Sequence, residues 1–449
     1  MNQPTKAHGE TDSLLVNCVA QKYAHLQFAD PAEILAVQNR LFLQHLAYTL
    51  AHSPFYKTVY AREKIDITQI KDLSHIGQLP LTQKEDLLRS EALLCVDKKK
   101  IVDICLTSAT SSATPTLIPQ TSMDLSRLAY NEQLAIAMTG VNETDTLLVC
   151  AALDRCFMAG MAYFLGGIKL SASMVRAGSG SAAQHWELIK LTSATVIVGV
   201  PSLIHKIGQY ALTNHENPKG CSVKKLIAIG EPTKDETLSL LPIARELEAM
   251  WGAKIYSTYA SSEMATTFCE CEARSGGHTR PELIVVEILG EDGQPVASGG
   301  KGEVVVTPLG ITGMPLIRFK TGDISYLIQG KCACKRTTQR LAPVLGRKNQ
   351  MLKYKGTTVF PNAILAALEG DERFHGGYVE AEKNVDGTDR ITLYAALTHD
   401  DKSDTWIKEV LQAKLRVVPE IKKITRQDAD KKVYQFDKKR KRMTFFDLR

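Results

Sequence analysis

Lys225-Leu226-Ile227-Ala228-Ile229-Gly230-Glu231-Pro232 is a short apolar run that stops in a glycine turn. Such a run predicts a buried strand, and the glycine lets the chain turn tightly at its carboxyl end. Similar runs lie upstream at residues 146–151 and 195–200, with helical patterns between them. Strands that alternate with helices predict a mostly parallel α/β sheet. Between residues 283 and 328 the texture changes to strand-like runs, at 283–289, 302–307 and 324–328, separated by turns such as Glu291-Asp292-Gly293. A β-rich section is expected there. After Gly346 a strand pair, a helix near 362–369, a strand near 391–397 and a helix near 405–415 fit a compact α+β unit. The expected fold is α/β: a large layered domain over 1–346 with a β-rich end, and a small α+β domain over 347–449.

Toward the N-terminus, Ile34, Val37, Leu41, Leu46 and Leu50 recur at helical spacing until Ser53-Pro54. Thr82 is expected to cap a helix, with Glu85 closing a capping box. The chain has 449 residues, 44% hydrophobic and 23% charged, which is ordinary globular composition. The net charge of +6 is partly concentrated in the tail at 431–442. No basic stripe interleaved with aromatics is present, so a nucleic-acid partner is not expected. Residues 1–13 are polar, which does not suit a signal peptide, and the apolar run 156–168 is too short to span a bilayer. A cytoplasmic protein with no membrane partner is the expectation. Of ten cysteines, Cys18, Cys95, Cys105, Cys150, Cys156 and Cys221 stand singly and are expected as buried thiols. Cys269/Cys271 and Cys332/Cys334 form close pairs, which in a reducing compartment suggest metal before disulfide.

Four polar stretches can carry chemistry. Thr107-Ser108-Ala109-Thr110-Ser111-Ser112-Ala113-Thr114-Pro115-Thr116 follows the apolar strand 101–106 and precedes Met123-Asp124-Leu125, which can open a helix. Small hydroxyl residues in a strand-to-helix turn offer hydroxyl and N–H donors to phosphate oxygens. Gly230-Glu231-Pro232 lies at a strand's carboxyl end, where α/β sheets bind ligands. Ser257-Thr258-Tyr259-Ala260-Ser261-Ser262-Glu263 offers an aromatic ring to a purine and a carboxylate to a cation beside phosphates. In Arg318-Phe319-Lys320-Thr321-Gly322-Asp323, a carboxylate in a tight turn can accept from two ribose hydroxyls. Each alone is equally compatible with an ordinary polar loop.

Taken in order, these stretches resemble the adenylate-forming superfamily of acyl-CoA synthetases, adenylation domains and luciferases, and in particular its phenylacetate–CoA ligase branch. Residues 107–116 are similar to that branch's T-S-G-T-T-G-x-P-T phosphate loop. Gly230-Glu231-Pro232 is similar to G-x-E-P, Tyr259 to Glu263 to Y-G-x-S-E, and Thr321-Gly322-Asp323 to T-G-D. The stretch from Gly346-Arg347 to Lys355-Gly356 is similar to G-R-x-D-x-x-K-x-x-G. Val359-Phe360-Pro361, Ser53-Pro54-Phe55-Tyr56 and residues 79–87 resemble the branch more particularly. The resemblance runs from about residue 50 to the C-terminus, with the elements in order and the phosphate loop one residue longer than the pattern.

The resemblance implies ATP-dependent activation of a small aryl or aliphatic carboxylic acid as an acyl-adenylate. Transfer of the acyl group to a thiol follows, with coenzyme A as the expected acceptor and a carrier protein or an amine as alternatives. It implies that Thr107, Ser108, Thr110 and Ser111 face the ATP phosphates. Gly230, Glu231 and Pro232 would border the adenine. Thr258, Tyr259 and Ala260 would line the nucleotide, with Tyr259 stacked on the base. Glu263 would bind Mg²⁺, and Asp323 and Arg347 would hold the ribose. The segment 346–350 would be the hinge of a mobile lid. The catalytic lysine of a G-K-x-x-R element would be Lys439, followed by Arg442, with Lys441 as the alternative. A homodimer is also implied.

The sequence departs from the family pattern at several positions. Ala109 and Ser112 replace loop glycines, Ala260 replaces a glycine, Asn349 replaces the hinge aspartate, and Lys438 replaces the glycine before the lysine. These leave open, as an alternative, a catalytically weak nucleotide-binding homologue. Some members of the branch carry structural zinc on a Cys–His pair and a Cys-x-Cys pair. The resemblance places that Zn²⁺ on Cys271, His278, Cys332 and Cys334, with Cys269 as the substitute for Cys271.

Overall fold

The computed structural model describes residues 22–107, 116–154, 156–354, 357–384, 389–398, 401–415, 417–434 and 443–449. The chain divides into two compact units. The first comprises Met1–Leu238, Glu246–Thr321 and Ser325–Pro343; the second comprises Ser239–Arg245, Gly322–Ile324 and Val344–Arg449. No compositional shift marks the two short segments that join the second unit from earlier in the chain.

The first unit opens with the helices Pro31–His52 and Pro54–Arg62. Ser53 ends one and caps the other, its Oγ accepting from the Tyr56 N–H. The expected capping box one element later is shifted by a residue. Gln83 and Asp86 form it, and Thr82 is instead buried. The Thr82 hydroxyl donates to the Ile317 carbonyl at 2.6 Å and lies 2.9 Å from Tyr56 Oη. A partner more than two hundred residues away decided this, and local pattern cannot see it.

A hairpin, β1 (Ile101–Leu106) with β2 (Leu117–Thr121), precedes the main sheet. Next come β3 (Thr146–Val149), β4 (Ser173–Arg176), β5 (Val196–Gly199), β6 (Lys225–Ala228), β7 (Lys254–Ser261), β8 (Thr266–Glu270) and β9 (Gly277–His278). A second hairpin follows, β10 (Ile284–Leu289) with β11 (Gly302–Pro308), then β12 (Phe319–Ser325), β13 (Leu327–Ile328), β14 (Arg340–Leu341) and β15 (Gly346–Arg347). Among the described residues the main sheet has nine strands, in the order β13-β14-β9-β8-β7-β6-β5-β3-β4. The β4-β3-β5-β6-β7 half is parallel, as expected, and buried apolar side chains fill it. The half beyond β7 is antiparallel. From β3 the chain crosses first to β4 on one side and then to β5 on the other. This reversal is the kind of switch point beside which open α/β sheets place ligands.

The helix Ser122–Met138 begins in a capping box between Thr121 and Asp124. It packs against the helix Met158–Lys169 through Gly166, where an added Cβ would sit 2.4 Å from the Cβ of Glu132. Only glycine permits that approach. Three sequence expectations change. β7 extends to Ser261, so the stretch at 257–261 is strand rather than loop. Asp323 sits on β12, not in a tight turn, because residues 319–325 are extended with Gly322 alone at positive φ. Of the single cysteines expected to be buried, Cys156 is exposed, at a positive φ in the turn before its helix, Cys221 is half-buried, and Cys18 lies outside the described residues.

The second unit holds the hairpin β16 (Leu352–Tyr354) with β17 (Thr357–Val359), and the strands β18 (Phe374–Lys383), β19 (Asp389–Leu397), β20 (Glu420–Lys423) and β21 (Phe445–Asp447). The latter four form a sheet in the order β20-β19-β18-β21. The helices Pro361–Leu368 and Asp401–Leu415 contribute Leu365, Leu368, Ile407 and Leu411 to a core with Val379 and Leu393. The Arg449 guanidinium donates to Asp447, to Asp389 and to the carbonyls of Asn349 and Met351, tying the end of β21 to the segment after β15. No described helix is long and apolar enough to cross a membrane.

Candidate functional site

The parallel register brings the carboxyl ends of β5, β6 and β7 to one edge, with Gly199 opposite Ala228 and Ala228 opposite Ser257. Gly230 leaves β6 at a φ of 69°, a conformation that favours glycine, and turns the chain out at this edge. Glu231 follows, and its carboxylate accepts from the Ser202 N–H at 2.9 Å and from the Ser202 hydroxyl at 2.6 Å. Ser202 is in the first turn of the helix Pro201–Thr213, so Glu231 serves one orphan N–H at that helix's positive end. This contact fixes the Gly230-Glu231-Pro232 turn and leaves Gly230 and Pro232 exposed.

β7 carries the adjoining stretch. The Thr258 hydroxyl donates to the Ala228 carbonyl at 2.8 Å, locking β7 to β6, and Tyr163 Oη lies 3.3 Å away. Tyr259 is half-buried and stacks on Phe268, with ring centroids 5.8 Å apart and planes 23° apart. Ala260 is exposed, and Glu263 is half-buried in the turn beyond the strand. The first unit thus brings Gly230, Glu231, Pro232, Thr258, Tyr259, Ala260 and Glu263 together on adjacent strands and their turns.

Thr107 and Thr116 close the base of the hydroxyl-rich stretch through a backbone bond of 3.0 Å, and the Thr107 hydroxyl accepts from the Thr116 N–H at 3.3 Å. Ser108, Thr110 and Ser111 lie outside the described residues, as do Lys439 and its alternative Lys441. In the second unit Asp323 pairs with Arg347 across β12 and β15, with Nε and Oδ1 3.4 Å apart. The two residues expected to share a ribose therefore neighbour each other.

The first unit also gathers Cys271, His278, Cys332 and Cys334, whose ligand atoms all lie within 4.8 Å of one another. Cys271 Sγ is 3.6 Å from Cys332 Sγ, and Cys334 Sγ is 3.4 Å from His278 Nε2. A tetrahedral ion with metal–sulfur bonds of about 2.3 Å spaces its sulfur ligands by about 3.8 Å, so the donor set fits one. Nδ1 of His278 lies 2.9 Å from the buried Thr338 hydroxyl, an orientation that turns Nε2 toward the thiols. Burial, with Arg280, Arg336 and Arg340 nearby, lowers the His278 imidazole to about 3 and keeps it in the neutral, ligating form. Burial pushes the Cys271 thiol up to about 12, so a thiolate there requires a compensating cation. Cys269 lies outside the group, and its thiol donates to the Glu270 carbonyl.

Sequence reasoning passed over Lys234 and Glu270, a buried ion pair at 2.7 Å beneath these elements. The only signal was the place of Glu270 between Cys269 and Cys271. It also passed over Tyr163 and Glu132, which helix packing alone brings under β7 and β8.

A family model described as AMP-binding enzyme matches residues 36–313, more than half of the chain. The phenylacetate-coenzyme A ligase of Thermus thermophilus is 26% identical over 342 residues, covering 75% of each chain. That of Escherichia coli is 25% identical over 352 residues, covering 75% of this chain and 77% of the relative. A crystal structure of 2-hydroxyisobutyryl-CoA ligase in the postadenylation state matches with a TM-score of 0.81 at 21% identity, covering 95% of this chain and 92% of the other. The same ligase with 2-HIB-AMP and CoA, in the thioesterification state, matches with a TM-score of 0.68 at 22% identity, covering 94% and 91%. The structural likeness carries the fold, and the family match spans the β6 and β7 elements just described. The chain belongs to the AMP-binding enzyme family.

Proposed function

We propose that the protein is an ATP-dependent acid–thiol ligase that activates a small carboxylic acid as its adenylate and passes the acyl group to coenzyme A. The observation that carries this is the pairing of the Gly230-Glu231-Pro232 turn with the 258–263 stretch on adjacent strand ends of an AMP-binding enzyme fold. In the first step a carboxylate oxygen bonds to the α-phosphorus of ATP and pyrophosphate leaves. In the second, the thiol sulfur bonds to the acyl carbon, AMP leaves, and the thiol proton passes to solvent. Curated relatives named phenylacetate-coenzyme A ligase support coenzyme A as the acceptor.

Each side chain has a physical task in this reading. Tyr259, backed on one face by Phe268, offers its ring to the adenine, and the Glu231-braced turn borders it. Glu263 would hold Mg²⁺, which neutralises charge on the phosphates. Thr107, with Ser108, Thr110 and Ser111, donates to phosphate oxygens. Asp323 accepts from ribose hydroxyls, with Arg347 orienting its carboxylate. Lys439 bridges the attacking carboxylate and the α-phosphate. Cys271, His278, Cys332 and Cys334 would hold Zn²⁺ in a closed, structural site. A cytoplasmic location, where thiols stay reduced, suits those ligands.

Pyrophosphate–ATP exchange across a panel of aryl and small aliphatic acids tests the reading. At least one acid should support exchange, and added coenzyme A should then yield its thioester. Exchange with no acid and no measurable ATP binding would remove the proposal. Exchange without thioester would move the acceptor to a carrier protein or an amine.

A further inference from the structure

Glu270 ends β8 one residue before Cys271, and its carboxylate gathers donors from three separate segments. Oε1 accepts from Lys234 Nζ at 2.7 Å and from the Gly276 N–H at 3.3 Å. Oε2 accepts from the Ser257 N–H at 3.0 Å. Lys234 Nζ also donates to the Arg274 carbonyl. The two side chains are only 4% and 2% exposed. Lys234 stands two residues after Pro232, and Ser257 opens the stretch that runs to Glu263. Arg274 and Gly276 belong to the loop between Cys271 and His278. One buried ion pair therefore touches both candidate nucleotide elements and the loop that carries two of the four thiol and imidazole ligands.

Burying two charges offsets much of their mutual attraction, so the pair is a poor source of stability. It is an effective way to fix the relative position of the segments it joins. Any segment that shifts leaves a buried charge short of a partner, which is costly in a low-dielectric interior. The loop has little freedom of its own. The Arg274 N–H donates to the Cys271 carbonyl at 2.8 Å, and its guanidinium pairs with Glu248. A bound metal would hold Cys271 and His278. Through the Arg274 N–H bond to Cys271 and the two-residue step from Gly276 to His278, that would fix the Arg274 carbonyl and the Gly276 N–H, which contact Lys234 and Glu270.

We propose that Lys234 and Glu270 are positioning residues that couple the metal centre to the nucleotide site. Loss of metal loosens ATP binding, and bound ATP slows metal release. This rests on the nucleotide reading of residues 230–232 and 257–263 given above. The two effects must appear together, because coupling between two binding sites is reciprocal.

The test uses the full chain loaded with zinc. Zinc release to a chromogenic chelator is timed with and without saturating ATP and Mg²⁺. The ATP dissociation constant is measured by calorimetry before and after chelation, with circular dichroism reporting the folded state. In the unaltered chain, ATP should slow release about tenfold, and chelation should weaken ATP binding about tenfold, within the usual range of such couplings. Lys234→Met combined with Glu270→Gln removes both charges at similar volume. That variant should still bind zinc and ATP, but each effect should fall to about twofold or less. If it does not fold, Lys234→Gln combined with Glu270→Gln, which also removes both charges, provides the comparison. A release rate indifferent to ATP in the unaltered chain, or full coupling in the variant, overturns the proposal and leaves the nucleotide reading standing. A loaded chain that binds no ATP, or a chain that takes up no zinc, overturns the site readings along with the coupling.

Discussion

Glu132 lies on the helix Ser122–Met138 with its carboxylate buried against β8. It accepts from the Thr267 hydroxyl and from Asn131 Nδ2, with Arg280, Tyr163 and Cys269 as the nearby titratable groups. Burial outweighs these partners and raises the carboxyl from 4.5 to about 7. The folded chain therefore keeps this proton up to about pH 7, whereas the unfolded chain releases it near 4.5. The associated stability is complete below pH 4.5 and is lost as pH rises through 7. Glu132→Gln should thus match the unaltered chain at pH 4 and be more stable at pH 8 by about 1–3 kcal/mol. Thermal unfolding at the two pH values measures this, and an equal difference at both would count against it. Glu231 shows the other side of residue-scale reasoning. Its place in the motif was plain, but its contact with Ser202 depends on β5 and β6 lying side by side.

At the scale of an element, the helix Ser122–Met138 is held at its first turn. The Asp124 carboxylate accepts from the Thr121 N–H at 2.9 Å, completing the capping box. It also accepts from the N–H groups of Thr312 and Gly313, at 2.7 and 2.9 Å. One side chain caps a helix and anchors a loop almost two hundred residues downstream. Asp124→Ala should cost about 3 kcal/mol, since a cap and two charged hydrogen bonds vanish from a buried place. Urea unfolding should show a lower midpoint with an unchanged slope. Asp124→Asn, which keeps one acceptor oxygen, should lose about half as much. The helix start was legible at residues 123–125, but the partner loop was not, because nothing local encodes it.

At the scale of the whole molecule, the proposed site residues are shared out between the compact units. Residues 230–232 and 258–263 and the group Cys271, His278, Cys332 and Cys334 belong to the first, and Asp323, Arg347 and residue 439 to the second. Lys439→Ala should lower acid-dependent pyrophosphate exchange by at least about a hundredfold, as expected when a positioned charge is removed from a transition state. The melting temperature should stay unchanged. Full activity in that variant would transfer the role to Lys441.

The sequence by itself determined the alternation of strand and helix and the ordered motifs, which periodicity and turn chemistry expose. The motifs carried the family resemblance, and that resemblance proposed a metal-ligand set with Cys269 and Cys271 as alternatives. Tertiary structure decided what those residues touch. It turned the polar stretch at 257–261 into a strand, gave Thr82 a buried partner instead of a cap, and kept Cys269 out of the metal set while admitting Cys271. It also revealed Lys234 and Glu270, which carry no motif. A buried charge is only as informative as the donors around it. Here those donors come from Lys234, Ser257 and Gly276, which only the folded sheet brings to one carboxylate.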